Sequence, residues 1–168
     1  MAGLALCVSL AAFAAETVYQ SPSGFLDSEL PGCEQKMLWL KRDVKARIET
    51  LIERSWQGAR VRYCQKGDRT AWILDEIGKT EPITSGVIVD QGQVAQVRVL
   101  VFRESRGSEV HRDAFTRQYQ DAVLVAGEGL DRHIDGITGA TLSVWAVTRQ
   151  VKLALLLDEV VREDSGDG

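Results

Sequence analysis

Two long runs of strand-forming residues, joined by a tight turn, constrain the fold of this chain more than any other segment. Residues 83–89 and 94–102 are rich in valine and other apolar residues, which favour the pleated geometry of strands. Between them, residues 90–93 read Asp-Gln-Gly-Gln, a connection short enough for a hairpin turn with glycine at its centre. The segment therefore predicts an antiparallel hairpin. Three valines of its second strand are expected to face the core: Val97, Val99 and Val101.

Further strand and helix patterns surround this hairpin. Residues 60–64 and 70–77 alternate between apolar and polar side chains and predict a second strand pair. Apolar residues recur every three and four positions in residues 34–56 and 143–161, which predicts two amphipathic helices. Shorter elements are expected at 109–122 (helix), 123–125 (strand) and 130–134 (strand). Antiparallel hairpins with segregated helices predict an α+β fold.

The chain has 168 residues, enough for one domain with a substantial core. Its net charge is −4 and it has no cluster of Lys or Arg, which argues against nucleic acid as the main partner. We divide the chain into a signal peptide, a linker or ordered extension, a helix with a strand pair, a cofactor domain and a frayed tail. The corresponding residues are 1–14, 15–33, 34–80, 81–162 and 163–168.

The first segment, residues 1–14, is a small and apolar run that ends in Ala12-Phe13-Ala14, an A-x-A cleavage pattern. We interpret this run as a secretory signal that is cut before Ala15. No Lys or Arg precedes its apolar part, so either the sequence begins inside a longer signal or the interpretation as an export signal is wrong. The run is too short to remain in a bilayer as a spanning helix.

Removal of that signal would leave two cysteines, Cys33 and Cys64. In an exported chain two cysteines predict a disulfide, which would stabilise the fold by about 3–4 kcal/mol. A metal site is not expected, because His111 and His133 lack ligand spacing to either cysteine.

Residues 135–141 read D-G-I-T-G-A-T and lead directly into the last predicted helix. Gly136 and Gly139 allow a tight turn and a close approach of the backbone to a ligand. The first N–H groups of a helix lack partners within it and form an anion site, and Thr141 places a hydroxyl there. The segment predicts a phosphate-bearing group held at this hydroxyl. The alternative is an ordinary helix start.

This segment resembles the flavinylation motif of the FMN-binding domain family, D-G-x-S/T-G-A-T, at every fixed position. The family includes the extracytoplasmic flavin subunits of the sodium-pumping quinone reductase and of Rnf-type complexes. The resemblance implies that Thr141 carries FMN through a phosphoester bond, with Thr138 as the rival hydroxyl. It also implies that an FAD-dependent FMN transferase reads Asp135, Gly139 and Ala140 around the attachment residue.

An upstream loop resembles a second segment of the family. Residues 104–109 read E-S-R-G-S-E, similar to the E-S/T-x-G-x-E/G loop that related domains place after their central hairpin. The resemblance assigns Glu104 and Gly107 to the cofactor site. Ser105 and Arg106 differ from the Glu-Thr-Pro-Gly expected in the respiratory-complex members, so the chain is more similar to small free-standing periplasmic members. A solvated turn is the alternative.

The resemblance implies an exported flavoprotein, free in the periplasm or peripheral to the inner membrane, that exchanges electrons with a membrane-bound partner. Two alternatives stay open: a module that binds FMN or another phosphorylated ligand without a covalent bond, and a flavin reductase acting on a small acceptor. No motif for a catalytic nucleophile or a carboxylate pair is present, which favours electron transfer over independent catalysis.

The chain has four tryptophans, and aromatic faces pack well on flavin rings. Trp39, Trp56 and Trp72 are expected in the core. Trp145 lies one helical turn beyond Thr141 in the sequence, which makes it a candidate for contact with the flavin.

Overall fold

The computed structural model describes residues 16–126 and 129–166 of the chain. Its centre is a six-stranded antiparallel sheet with the strand order β1-β6-β5-β4-β3-β2. The strands are β1 (Thr17–Val18), β2 (Glu34–Trp39), β3 (Arg60–Lys66), β4 (Arg69–Ile77), β5 (Pro82–Asp90), β6 (Gln93–Phe102) and a separate pair, β7 (Leu124–Val125) and β8 (Gly129–Leu130). The helices are α1 (Pro22–Glu29), α2 (Arg42–Ile52), α3 (Asp113–Thr116) and α4 (Thr141–Gly166), with single 3₁₀ turns at Ser108–His111 and Arg117–Tyr119. This architecture confirms the predicted α+β class.

The predicted hairpin is present as β5 and β6, which lie inside the sheet. Its two turn residues, Gln91 and Gly92, have φ angles of 50° and 81°. Positive φ at both central positions is the type I′ geometry, whose twist matches that of paired strands. The second predicted strand pair is β3 and β4, joined by a turn at Gly67.

Helix α4 crosses one face of the sheet and is fixed there by buried polar contacts. The side-chain nitrogen of Gln150 donates to the carbonyl oxygens of Leu74 and Ile83, each at 2.7 Å, and so bridges β4 and β5. Two turns further on, the carboxylate of Asp158 accepts a hydrogen bond from the Thr70 hydroxyl at 2.7 Å. Buried hydrogen bonds of this kind permit one position of the helix, since any shift would leave polar atoms unpaired.

The opposite face of the sheet is covered in part by α1. Phe25 of α1 is fully buried, and its ring lies so close to Gly86 that a Cβ there would be 2.5 Å from a ring carbon. Residues 15–33 were expected to be a linker or an ordered extension. In its described part, from residue 16, the structure shows an ordered extension that contributes β1 and α1 to the fold.

The predicted disulfide joins Cys33 and Cys64, whose Cα atoms are 5.6 Å apart. Cys33 directly precedes β2 and Cys64 lies within β3, so the bridge fastens the outermost strand pair at one end. It closes a loop with a sequence separation of 31 residues, for which chain-entropy arguments give a stabilisation of about 3–4 kcal/mol.

The single helix predicted for residues 34–56 is wrong in its first part, where the chain forms β2. This strand pairs with β3 from Glu34 opposite Gln65 to Trp39 opposite Arg60, and the helix begins only at Arg42. The expectation that Trp39 lies in the core is also wrong, because this tryptophan is 64% exposed on the edge strand. Pairing of this segment with β3 outweighs the helical spacing of its apolar residues. The pairing depends on a distant strand and cannot be predicted from the local sequence.

Further boundaries differ from the sequence-based expectation, among them the end of α2 at Ile52 instead of residue 56 and the start of α4 at Thr141 instead of residue 143. The helix predicted for 109–122 is broken into short turns, because Arg112 adopts an extended conformation (φ −70°, ψ 139°). The strand predicted for 130–134 is limited to β8, which ends at Leu130. Helix α4 continues past Glu163 to Gly166, where a frayed tail was expected.

The predicted signal peptide at residues 1–14 lies outside the described residues. Among the helices of residues 16–126 and 129–166, none combines the length and the hydropathy needed to cross a bilayer.

Candidate functional site

The segment before α4 forms a tight turn that exposes Thr141 at the first position of the helix. The N–H of Ala140 donates to the Ile137 carbonyl at 2.9 Å, which closes the turn. Gly139 has a φ of 80°, whereas Thr138 before it does not have a positive φ. This combination is characteristic of a type II turn, which requires a residue without a Cβ at its third position. Both Thr138 and Thr141 are exposed to solvent.

The backbone at the start of α4 offers free hydrogen-bond donors. The N–H of Val144 bonds to the Ala140 carbonyl at 3.0 Å and is the first such bond of the helix. Within the described part of the chain, no acceptor pairs with the N–H groups of Thr141, Leu142 and Ser143. Ala140 precedes the helix and has no side-chain oxygen to cap it. Three N–H groups at the positive end of the helix dipole fit a phosphate next to the Thr141 hydroxyl.

Gly107 brings the second predicted segment against this helix start. It is buried, with a φ of 88°. A Cβ on Gly107 would lie 2.5 Å from the Ser143 hydroxyl oxygen and 3.2 Å from the Ala140 Cβ. The two segments singled out in the sequence are therefore in direct contact, and the contact is close enough to require glycine.

The structure places Glu104 against a neighbouring turn. Its carboxylate accepts hydrogen bonds from the backbone N–H groups of Thr80 at 2.6 Å and Glu81 at 2.9 Å, and from that of Lys79. Partial burial alone would raise the pKa of Glu104, but these backbone hydrogen bonds outweigh it and hold the pKa below its usual range. In this arrangement the carboxylate orders the turn between β4 and β5.

Asp135 is held by its backbone, while its carboxylate faces solvent. Its N–H donates to the side-chain oxygen of Gln118 at 2.7 Å, and the Gln118 side-chain nitrogen donates to its carbonyl at 3.4 Å. The Gln118 amide thus pairs with Asp135 as a neighbouring strand would. The nearest basic group to the Asp135 carboxylate is His133, with 3.9 Å between nitrogen and oxygen. Sequence reasoning missed Gln118, because nothing distinguishes it from other polar residues of its segment.

Arg132 attaches the same segment to the loop after the 3₁₀ turn at Arg117–Tyr119. Its guanidinium donates to the carbonyl oxygens of Gln120 at 2.6 Å and Asp121 at 3.0 Å. It also pairs with the Asp131 carboxylate, and hydrogen bonds from Arg132 hold the pKa of that carboxyl below its usual value. Ile134 and Ile137 pack on the core. We call residues 131–140 the strap, since both polar and apolar contacts tie it to the domain.

Tyr119 connects the 3₁₀ turn at Arg117–Tyr119 to α4. Its hydroxyl lies 2.8 Å from the Thr148 hydroxyl oxygen, which in turn donates to the Val144 carbonyl at 2.8 Å. Because Thr148 uses its proton in that bond, Tyr119 is the donor to Thr148. Burial raises the pKa of Tyr119 far above its ordinary value, so the phenol stays protonated and this contact is kept.

Thr141 is exposed and lies outside three cavities of the described part of the chain. Cavities of about 480 and 530 Å³ are lined by other parts of the chain, and a third of about 230 Å³ lies beside the end of α2. None of these three is lined by Thr141 or by the strap. Within the described residues, no group of three or more His, Cys, Asp or Glu side chains is placed to hold a metal ion.

The fit of this site to FMN agrees with the comparison with known families. Residues 78–156 match the family model described as an FMN-binding domain. The matched segment begins at the turn ordered by Glu104, contains the strap and ends inside α4. Searches among curated proteins and among solved structures find no match. Residues 78–156 therefore correspond to an FMN-binding domain, which supports FMN as the ligand of this part of the chain.

Proposed function

We propose that the chain carries FMN covalently, as a phosphoester of the Thr141 hydroxyl. The observation that supports this most directly is the exposed hydroxyl beside three unpaired N–H groups at the start of α4. In the proposed reaction, the Thr141 oxygen attacks the FMN-side phosphorus of FAD. A bond from oxygen to phosphorus forms, the pyrophosphate bond breaks, AMP leaves, and the hydroxyl proton passes to a base of the FMN transferase or to water.

The surroundings of the neighbouring hydroxyls favour Thr141 as the attachment residue. Ser143 is only 4% exposed and faces Gly107, so an enzyme carrying FAD cannot reach its hydroxyl without unfolding the contact. Thr138 is exposed but belongs to the turn before the helix. The N–H groups that would stabilise the phosphate belong to residues 141–143, at the start of the helix. Thr141 is one of these residues, whereas Thr138 precedes them.

Intact mass spectrometry tests this assignment. The chain is produced with and without the FMN transferase, together with the variants Thr141→Ala, Thr138→Ala and Ser143→Ala. We expect the added mass of an FMN phosphoester only with the transferase, and its loss only in Thr141→Ala. Thr141 is exposed and its side chain has no hydrogen bond, so its replacement should change the free energy of unfolding by no more than about 0.5 kcal/mol.

Two results would overturn the proposal in different ways. FMN retained by Thr141→Ala, or found on Thr138 after peptide mapping, would contradict the attachment residue. An unmodified wild-type chain that binds FMN reversibly would support the non-covalent alternative, in which the same N–H groups hold a free phosphate.

We further propose that the protein is exported and works in the periplasm, free or peripheral to the inner membrane. The Cys33–Cys64 disulfide supports this location, because disulfides persist in oxidising compartments. A covalent bond would keep the cofactor on a protein in a compartment where free flavin is scarce, since a dissociable cofactor is lost by mass action. Amino-terminal sequencing of protein from its native cell should begin at or near Ala15. A mature cytoplasmic protein that retains Met1 would contradict export.

The proposed role is electron transfer to or from a membrane-bound redox protein. The flavin supplies the redox chemistry, and the chain supplies attachment and position. The exposure of Thr141 to solvent supports exchange with a protein partner rather than with a small substrate enclosed in a cavity. Steady-state turnover with small acceptors, measured on the flavinylated protein, separates this role from the reductase alternative. Sustained turnover with a small acceptor, in the absence of any other protein, would favour the reductase.

A further inference from the structure

We propose that Trp145, together with Leu142, forms the surface on which the isoalloxazine ring of the bound flavin lies. This inference rests on the proposed attachment to Thr141. It concerns the ring and not the phosphate, so it can fail while the attachment residue is correct.

The first observation is an exposed apolar pair near the start of α4. Trp145 is 54% exposed and Leu142 is 40% exposed. Their neighbours Val144, Ala146 and Val147 are all buried in the core. The outer face of a surface helix is normally polar. A large aromatic and a leucine side by side on that face therefore indicate a binding surface.

The second observation is the spacing of this pair from the attachment residue. Thr141 and Trp145 are four residues apart on α4, and Leu142 and Trp145 are three apart, so Thr141 and Leu142 each lie next to Trp145 on the helix surface. One helical turn rises only about 5.4 Å. The phosphate and ribityl chain between a threonine oxygen and the ring is longer than that distance. The tether therefore reaches Trp145 without strain.

The other tryptophans do not offer such a surface. Trp72 is fully buried and stacks on Tyr63 with ring centroids 4.9 Å apart. Trp39 is exposed, but it lies on the edge strand β2 with the Arg60 guanidinium 5.4 Å from its ring centre. Trp56 is half-buried and follows α2. Among the four tryptophans, Trp145 is therefore the one that is exposed on the same helix as Thr141.

One rival platform lies near the Gly107 loop. The rings of Tyr19 and His111 stack with centroids 4.2 Å apart and an angle of 8° between planes. Tyr19 is 38% exposed, so a ring could also lie on its outer side. The Tyr19→Leu variant distinguishes this surface from the one at Trp145.

The consequence of the proposed contact is a ring packed on an indole face. Stacking of this kind is favourable for large aromatic rings. It should also quench flavin fluorescence, because an excited flavin accepts an electron from a tryptophan in van der Waals contact and loses its excitation without emission. The opposite face of the ring would stay open to solvent and to a redox partner.

The test uses full-length flavinylated protein and compares Trp145→Leu, Trp145→Phe and Trp39→Leu. Intact mass first establishes that each variant carries one FMN. We expect Trp145→Leu to raise the flavin emission several-fold and to lower its fluorescence anisotropy, because the ring loses its contact. Trp145→Phe should give intermediate values. Trp39→Leu is the matched control, the same substitution at an exposed tryptophan far from Thr141, and should match wild type.

The outcomes separate this inference from the proposed attachment. A wild-type chain without the added flavin mass overturns the attachment, and this inference with it. A flavinylated Trp145→Leu variant with wild-type emission and anisotropy overturns the ring position alone. The same holds if Tyr19→Leu, and not Trp145→Leu, releases the emission, since the ring then lies on the Tyr19–His111 stack.

Discussion

Replacing Gly107 by alanine tests whether the Gly107 loop and the start of α4 depend on each other. Gly107 has a φ of 88°, in the left-handed region. The added Cβ would also lie 2.5 Å from the Ser143 hydroxyl oxygen. Gly107→Ala should therefore destabilise the fold through two separate effects, a backbone strain and an atomic overlap.

The size of each effect follows from the geometry. An alanine at a left-handed φ costs about 1–2 kcal/mol, and overpacking of a closely packed contact costs about 1–3 kcal/mol. Together they predict a loss of about 3 kcal/mol in the free energy of unfolding. Gly139→Ala is the matched control, because Gly139 has a φ of 80° but a Cβ added there would meet no heavy atom within 4 Å. It should cost only the strain, about 1–2 kcal/mol.

The assay is urea unfolding of wild type, the two single variants and the double variant Gly107→Ala/Ser143→Ala. Removing the Ser143 hydroxyl relieves the closest overlap, so the double variant should recover about 1 kcal/mol relative to Gly107→Ala alone. If Gly107→Ala costs no more than Gly139→Ala, and Ser143→Ala recovers nothing, the proposed contact between the loop and the helix start is refuted.

Two further predictions concern the strap and the turn beside it. Gln118→Met should slow flavinylation about tenfold and lower the free energy of unfolding by no more than about 1.4 kcal/mol, because two hydrogen bonds to Asp135, worth about that much together, are lost. Gln118→Glu, which keeps the acceptor, should recover most of the rate. Gln120→Met should leave the rate unchanged, since that side chain bonds only to the Asp121 carboxylate, and equal rates for all variants would contradict a positioning role for Gln118. Glu104→Gln should lower the free energy of unfolding at neutral pH by about 1 kcal/mol, after allowance for solvent screening. The native pKa of Glu104 is lowered, so its contribution to the free energy of unfolding is complete above the pKa of the unfolded chain and is lost as pH falls through the native pKa. A difference between Glu104→Gln and wild type in urea unfolding that persists undiminished at pH about 2 would contradict this prediction.

The parts of the fold that were predictable from sequence are those specified by local chemistry. The β5–β6 hairpin follows from two valine-rich runs around a turn that needs glycine, and Gly92 indeed has a positive φ. The start of α4 follows in the same way from Gly139 and the apolar spacing after it. In both places a short segment contains all the information that determines its conformation.

The parts that were missed depend on distant residues. β6 contains an extra residue at Leu100, because Thr84 pairs with Val101 and Ser85 pairs with Val99. This bulge places Val101 in the core cluster under α1, whereas Val97 and Val99 belong to the main core as expected. A bulge cannot be recognised from the alternation of apolar and polar residues along one strand, because it is defined by the pairing with the partner strand.

The residues of the candidate site also divide into those suggested by a local segment and those that depend on the fold. Thr141, Gly139 and Ala140 could be proposed from the sequence because a resemblance covers the segment that contains them. Gln118 could not, because its role comes from the fold, which brings its side chain to the backbone of Asp135. Glu104 was identified by resemblance, but its carboxylate orders a turn of the backbone in the structure.

The two hydrogen bonds from Gln150 to β4 and β5 have a consequence for the order of events during biosynthesis. Helix α4 follows the sheet in sequence, and its position depends on carbonyl groups of β4 and β5, which are made much earlier. The exposed setting of Thr141 therefore arises only after α4 has docked on the sheet. An enzyme that requires that setting cannot modify a nascent or truncated chain. If FMN is attached to Thr141 as proposed, its yellow colour would mark the molecules in which α4 has docked.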